Sequence, residues 1–285
     1  MLRVLDQNEK EQAQNTGYMC EHLLCLYSMV SDRVAIWNEE FPVFLSDFGE
    51  ADVVLFGLKK KNEDRLGCIK ELLELPIDTL NLISPIDFGH LQNVRTKYID
   101  WDFHVNVDQF DLEMKGRNYK NIRYRINQAK KMGYRSELKK TWTKKHTYVL
   151  SRHMISHKLD MWDYEELLSL EAFFREHDHA YLMDAYLENR LVGFDVVDFF
   201  ENSRIMVIPL GIYLNKPLIS DFLMYENLKF ARKNKYYWLD VGPTCGSEGL
   251  KDFKKKWFAE PKYTLYVQSL NKIGSRDSVP SGDLK

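Results

Sequence analysis

Two stretches of this chain carry the same order of elements: three strand-like runs, a helix-like run and a return strand. In the first, strands read near Val34–Trp37, Pro42–Ser46 and Asp52–Leu58, then a helix over Glu63–Leu75 and a strand at Thr79–Ser84. A further helix is expected ahead of them, over residues 9–30. The second stretch repeats the scheme at greater length. Helices near residues 118–132, 145–158 and 163–176 precede strands at Ala180–Glu188, Leu191–Phe200 and Arg204–Tyr213. A helix at 217–233, a strand at Tyr236–Val241, a helix at 247–258 and a strand at Tyr263–Ser269 complete it. Little residue identity accompanies the repeated order, so what recurs is an architecture of two similar α/β modules with mostly antiparallel strands.

Composition sets the outer bounds. With 285 residues and 45% hydrophobic content, the chain can bury one large core or two of ordinary size. Its 40 basic and 42 acidic residues exclude a histone-like polycation and a polyacidic disordered chain. Residues Met1 to Lys10 show no apolar core of a signal peptide, and no run approaches the ~20 uncharged residues that span a bilayer, so a cytoplasmic protein is expected. Cys20, Cys25, Cys68 and Cys245 form no CxxC pair and are expected to be reduced and mostly buried.

The balanced total hides a segregation of charge. Between Lys115 and His146 there are twelve Lys or Arg and one acid, Glu137; between Asp160 and Glu201 there are twelve acids against Arg175 and Arg190. Such blocks are either solvated helix faces or opposed fields that orient a polyanionic ligand beside an amine-bearing one. Within the basic block, Tyr119, Ile122, Ile126 and Ala129 form an apolar line on the predicted 118–132 helix. Lys120, Arg123 and Lys130 turn away from it, with Asn118 placed to cap the start and Gly133 the end. Pro209 and Gly211 interrupt the strand at Arg204–Tyr213. Because proline cannot donate to a ladder, that strand should be an edge strand, or else bulged or splayed.

The most specific segment runs from Leu239 to Pro261. A strand ends in a Gly/Pro turn, Ser247 offers a cap, and the next helix sets Leu250, Phe253 and Trp257 on its inner side. Lys254 falls at the edge of that face, and Lys251, Lys255 and Lys256 toward solvent.

Gly246-x-x-Gly249-Leu250-x-x-Phe253-Lys254 resembles the C-terminal signature of the tandem GNAT-fold acyltransferases, the group of the Fem-type aminoacyltransferases and of the phosphatidylglycerol lysyltransferase catalytic domain. The stretch Gly116–Gly133 is similar to the basic helix that opens their second module. The resemblance covers roughly residues 15–270. It implies an N-terminal GNAT-like module over 1–110 and a second over 111–270; the tail over 271–285, with Gly274, Pro280, Gly282 and three serines, is expected to be disordered from its composition. It also implies acyl transfer, in which an amine attacks a carbonyl carried on a thioester or on the 3′ ester of aminoacyl-tRNA. Phe253 then packs beside the reacting ester, and Lys254 stands near phosphate or the developing oxyanion. The donor phosphates would lie along Lys120, Arg123 and Lys130, with Asn215 and Lys216 as further polar contacts. Ordinary acetyl-CoA-dependent members carry a Gln/Arg-x-x-Gly-x-Gly/Ala loop where this chain reads Gly211-Ile-Tyr-Leu-Asn-Lys-Pro-Leu-Ile219. That departure tilts the expected donor from acyl-CoA toward aminoacyl-tRNA. A catalytically silent module that binds RNA or protein is the reading from another class.

An attacking amine must lose a proton, so Glu226, Asp240 and Tyr263 join Lys254 as catalytic candidates. Asp195 and Asp198 lie on opposite faces of one strand and are candidates for holding a cationic acceptor. No metal site is expected: His153 and His157 are spaced i, i+4 but lack the HExxH glutamate and a third ligand, and His177 and His179 stand apart in a loop. No cofactor is expected to be tightly bound.

Overall fold

The computed structural model describes residues 94–158 and 180–270 in full. It also describes residues 81–83, 87–90 and 169–175, Glu21, His22, Cys25 and Leu26, and the backbone of the other strand residues given below. Apart from helical backbone at Glu21, His22, Cys25 and Leu26, the expected helix over 9–30 lies outside the described residues. So do the expected helix over 63–75, Cys20, Cys68, His177, His179 and the tail beyond Asn271.

The chain divides into two compact units, each assembled from separated stretches of sequence. The smaller takes residues 1–4, 32–99 and 265–285. In it, β1 (Arg3–Val4), β2 (Arg33–Trp37) and β3 (Phe41–Leu45) form an antiparallel sheet in that order. Strand β4 (Glu50–Val54) lies parallel to β5 (Thr79–Ser84), which pairs antiparallel with residues 266–271. The buried Gln268 amide accepts from Phe88 N at 3.1 Å and donates to Asp87 Oδ1 and Thr96 Oγ1 at 2.9 and 3.0 Å.

The larger unit takes residues 5–31 and 100–264 and holds every sequence-predicted site residue. Strand β6 (Val94–Asn106) enters it at Asp100, and β7 (Arg135–Lys139), β8 (Tyr181–Leu187), β9 (Arg190–Phe200), β10 (Ile205–Tyr213) and β11 (Trp238–Asp240) complete an order β6-β11-β10-β9-β8-β7. β7 to β10 form an antiparallel meander; β11 then lies parallel to β10 and antiparallel to β6. The long strand β12 (Glu260–Asn271) contributes its first residues here.

The helices are α1 (Lys120–Lys131), α2 (Lys144–His157), α3 (Ile219–Lys233) and α4 (Glu248–Lys256), with a helical segment at 169–175. α1 buries Ile122, Ile126 and Ala129 as its periodicity predicts, although Asn118 does not cap it: the N-cap position falls on Tyr119. Gly133 ends it at φ +86°, a conformation that costs glycine little. Strand alternation sends Met183 and Ala185 of β8 into the core shared with α1 and α3. The intervening Leu182 and Asp184 point to the other face, where Asp184 meets His146 of α2. Asp221 of α3, fully buried, joins three helices: it accepts from Arg125 Nε of α1 at 2.6 Å and from Trp257 Nε1 just after α4 at 3.1 Å, and pairs with Lys256 Nζ at 2.6 Å. Lys256 is therefore not a solvent lysine.

The bulge expected at Pro209 is present. Val207 pairs with Asp198 and Leu210 with Val196, so two residues of β10 oppose one of β9. Only Ile205–Val207 pair with Trp238–Asp240 of β11. Past those rungs the two parallel strands share no further rung, and Asp240 ends its strand at the fork. Among the described residues, no helix is long and apolar enough to cross a membrane.

Candidate functional site

Residues of β6 alternate sharply. Phe103 and Val105 point into the hydrophobic core, while Asp100, Asp102 and His104 share the opposite face, each 2% exposed or less. His104 stands directly across from Asp240 in the β6–β11 ladder. Its Nε2 lies 3.2 Å from Asp102 Oδ2 and 3.4 Å from Asp240 Oδ2, so one imidazole bridges two buried carboxylates. Asp240 also accepts from Gly242 N at 2.8 Å and from His22 N at 3.0 Å. Glu21 completes the group; one of its oxygens, a ring nitrogen of His104 and an oxygen of Asp240 lie within 4.8 Å of one another.

The turn after β11 covers this cluster. Gly242 has φ +73°, and a Cβ there would fall 2.1 Å from the His22 ring, so the position requires glycine on both counts. Thr244 Oγ1 donates to Asp100 Oδ1 at 2.7 Å. Lys254, on α4, reaches back under the turn and donates to the carbonyls of Gly242 and Pro243, each at 2.5 Å. Ser247 fixes that helix by accepting from Leu250 N at 3.3 Å, as its cap position predicts. Leu250, expected inside, is 45% exposed, because the helix packs through Trp257 and Lys254 instead.

Charge and burial oppose each other throughout. Burial pushes the Glu21 carboxyl up to about 8, with the Asp240 charge adding to it. Asp102 rises to about 6 for the same two reasons. Burial disfavours the charged ring of His104, yet Asp240 and the contact with Asp102 outweigh it and carry the ring up to about 10. Burial alone would raise Asp240 too, but His104 holds it below the usual carboxylate range. Lys254 is lowered to about 8 by burial, against the pull of Asp102 and Asp240, and His22 to about 4, again by burial.

Of the sequence-predicted residues, the fold brings together Lys254 and Asp240, with Tyr263 half-buried and edge-on to the His104 ring at 5.6 Å. Phe253 is half-buried beside Trp257, under the Lys256 ammonium at 4.5 Å. Glu226 lines a separate pocket of about 540 Å³, where Ser136 and Lys229 donate to it. On α1, Lys120 and Lys130 are exposed, the latter over the Tyr225 ring at 5.0 Å. Arg123 donates to the Met114 and Gly116 carbonyls. Asn215 and Lys216 are exposed between β10 and α3. Asp195 accepts from Tyr213 Oη at 2.5 Å and Asn227 Nδ2 at 2.6 Å. Asp198 faces Cys25, whose thiol burial pushes well up. Cys245, expected inside, is exposed at φ 49°. His153 is engaged by the Tyr213 backbone, at 2.9 Å from its carbonyl oxygen.

The sequence reading lacks Asp100, Asp102, His104, Glu21 and His22. For the first three the signal was there: an Asp-x-Asp-x-His run alternating with apolar residues is the pattern of a strand whose second face is buried and charged. Glu21 and His22 gave none, since only the folded chain sets them against β11.

No family model matches the chain, and no curated protein matches it. Solved structures do. L-PGS from Bacillus licheniformis superposes with a TM-score of 0.64 at 16% identity, over 95% of this chain and 93% of that one. A tandem GNAT protein from the clavulanic acid biosynthesis pathway gives 0.60 at 11% identity, over 97% and 99%. The fold is that of the tandem GNAT proteins. FemX shares it as well, with a TM-score of 0.57 at 11% identity over 93% and 96%. At such identities the likeness fixes the architecture, and the chemistry must come from this GNAT-fold chain's own residues.

Proposed function

We propose that the protein is an N-acyltransferase that moves an aminoacyl or acyl group from a phosphate-bearing donor, aminoacyl-tRNA in preference to acyl-CoA, to an amine. The observation that carries this reading is the meeting of Lys254, Asp240, His104 and Asp102 at the fork where parallel β10 and β11 part. A forked pair of parallel strands presents backbone and side chains to a ligand at the carboxyl end of the sheet. Lys254 has three N–H donors and gives two to main-chain carbonyls, leaving one for the oxyanion that forms when an amine adds to the ester. In so dry a setting one such donor contributes about 3–4 kcal/mol to the transition state. The carboxylates of Asp102 and Asp240, linked through His104, receive the proton the amine gives up.

The preference for aminoacyl-tRNA rests on the stretch between β10 and α3. It has no glycine after Gly211, and its Leu218 sits at φ 66° as the N-cap of α3 with no side-chain cap. Lys120 and Lys130 are exposed on α1, where their cations can follow a phosphate backbone.

The test offers the purified chain a mixed amine pool with either total aminoacyl-tRNA or an acyl-CoA mixture and reads adducts by mass spectrometry. Adducts from charged tRNA support the reading. Adducts from CoA thioesters alone replace the donor, and none from either donor removes the enzyme assignment in favour of a binding module.

A further inference from the structure

Among the described residues, the oxygen Oε2 of Glu21 has no hydrogen-bond partner, although the residue is only 3% exposed. Among the same residues, Nδ1 of His104, 1% exposed, also has none, and neither does Nδ1 of His22, 7% exposed and 3.9 Å from Asp240 Oδ1. Buried carboxylates and imidazoles are normally hydrogen-bonded, and each exception calls for a physical cause. Lys254 gives two of its N–H groups to the main-chain carbonyls of Gly242 and Pro243. Glu21 and Asp240 thus meet His104 in a closed interior, where a Glu21 oxygen and a His104 ring nitrogen are left unsatisfied among the described residues.

We propose that Glu21, His104 and Asp240 bind a first-row divalent transition ion, with zinc the best match to their donor set. The three ligating atoms lie within 4.8 Å of one another, close enough for a shared ion after a small contraction. One imidazole with two carboxylates suits zinc or manganese and is a poor set for magnesium or calcium, which favour oxygen alone. Asp102 Oδ2 lies 3.2 Å from His104 Nε2, the nitrogen that also faces Asp240 Oδ2 at 3.4 Å, so it stands beside the site rather than behind the ring. The ligands come from the segment at residues 5–31, from β6 and from β11, so the ion would staple three stretches distant in sequence. The ion would share Asp240 and His104 with the proposed transfer site, and because binding and turnover are measured separately, the failure of either reading is distinguishable from that of the other.

The experiment uses the full chain stripped with chelator and titrated with Zn²⁺ and with Co²⁺ as its coloured substitute. The expected result is one ion per chain, a higher melting temperature in its presence, and an affinity at least about tenfold weaker in Glu21→Gln. Zinc K-edge absorption on the unmutated protein covers the case in which that variant does not fold. A shell of nitrogen and oxygen near 2.0–2.2 Å supports the site, whereas sulfur near 2.3 Å places the ion on a cysteine and overturns it. A folded, unmutated chain that takes up no ion overturns it too, as does an ion held equally well by folded Glu21→Gln.

Discussion

Asp195 shows how burial sets the behaviour of one group. Its carboxyl is 2% exposed and rises to about 7 through burial, even though Tyr213 and Asn227 donate to its two oxygens. A raised value means that the native state keeps a proton which the unfolded chain releases near pH 3.8. The stability this group contributes is therefore complete below that pH and is lost as pH climbs toward 7. Asp195→Asn should remove that slope. Urea titrations across the window should show wild-type stability falling relative to the variant by roughly 4 kcal/mol. Parallel profiles would mean that the carboxyl is already ionised in the native state. Gly242 makes a second case, in which conformation and space coincide. Gly242→Ala meets both a positive φ and the His22 ring and should lose about 2–4 kcal/mol, measured by thermal unfolding. Lys254 and Asp240 were legible as candidates because both sit in a recognisable segment. It passed over His104 because a charged residue in a strand ordinarily faces water.

Elements were legible where one periodicity governed them. The apolar line of α1, the cap of α4 and the bulge in β10 each follow from local residue chemistry. β6 escaped because its first half is exposed and its second half is buried on an apolar and an ionic face alike, so neither alternation nor an apolar run marks its whole length of thirteen residues. The inner side of α4 was misjudged for a related reason. Leu250 fits the apolar spacing, but Trp257 and the buried Lys254 decide how the helix lies. Asp221 is what holds α1, α3 and the end of α4 together. Asp221→Ala strands the Trp257 N–H and two cations, and should cost about 3 kcal/mol of folding stability, below the full loss for a completely buried pair because Arg125 is partly solvated. A change under about 1 kcal/mol in chemical unfolding would show that the three helices are held by apolar packing alone.

On the scale of the whole chain, the repeated order of elements pointed to the α/β architecture, and the shared fold of L-PGS, FemX and the tandem GNAT protein agrees with it. The composition of each unit was not legible in the same way. Which stretches join the larger unit depends on contacts between residues as far apart as His22 and Asp240, and no local pattern encodes them. The same long-range packing builds the cluster at the fork, to which the proposed transfer is assigned. The direct measurement is single-turnover transfer from aminoacyl-tRNA to the amine pool by the wild-type chain and by Lys254→Met, with folding of both checked by circular dichroism. The expected transfer rate is about 10²–10³ lower in the variant, with donor affinity little changed. Equal rates in two folded proteins would contradict it and move the chemistry away from Lys254.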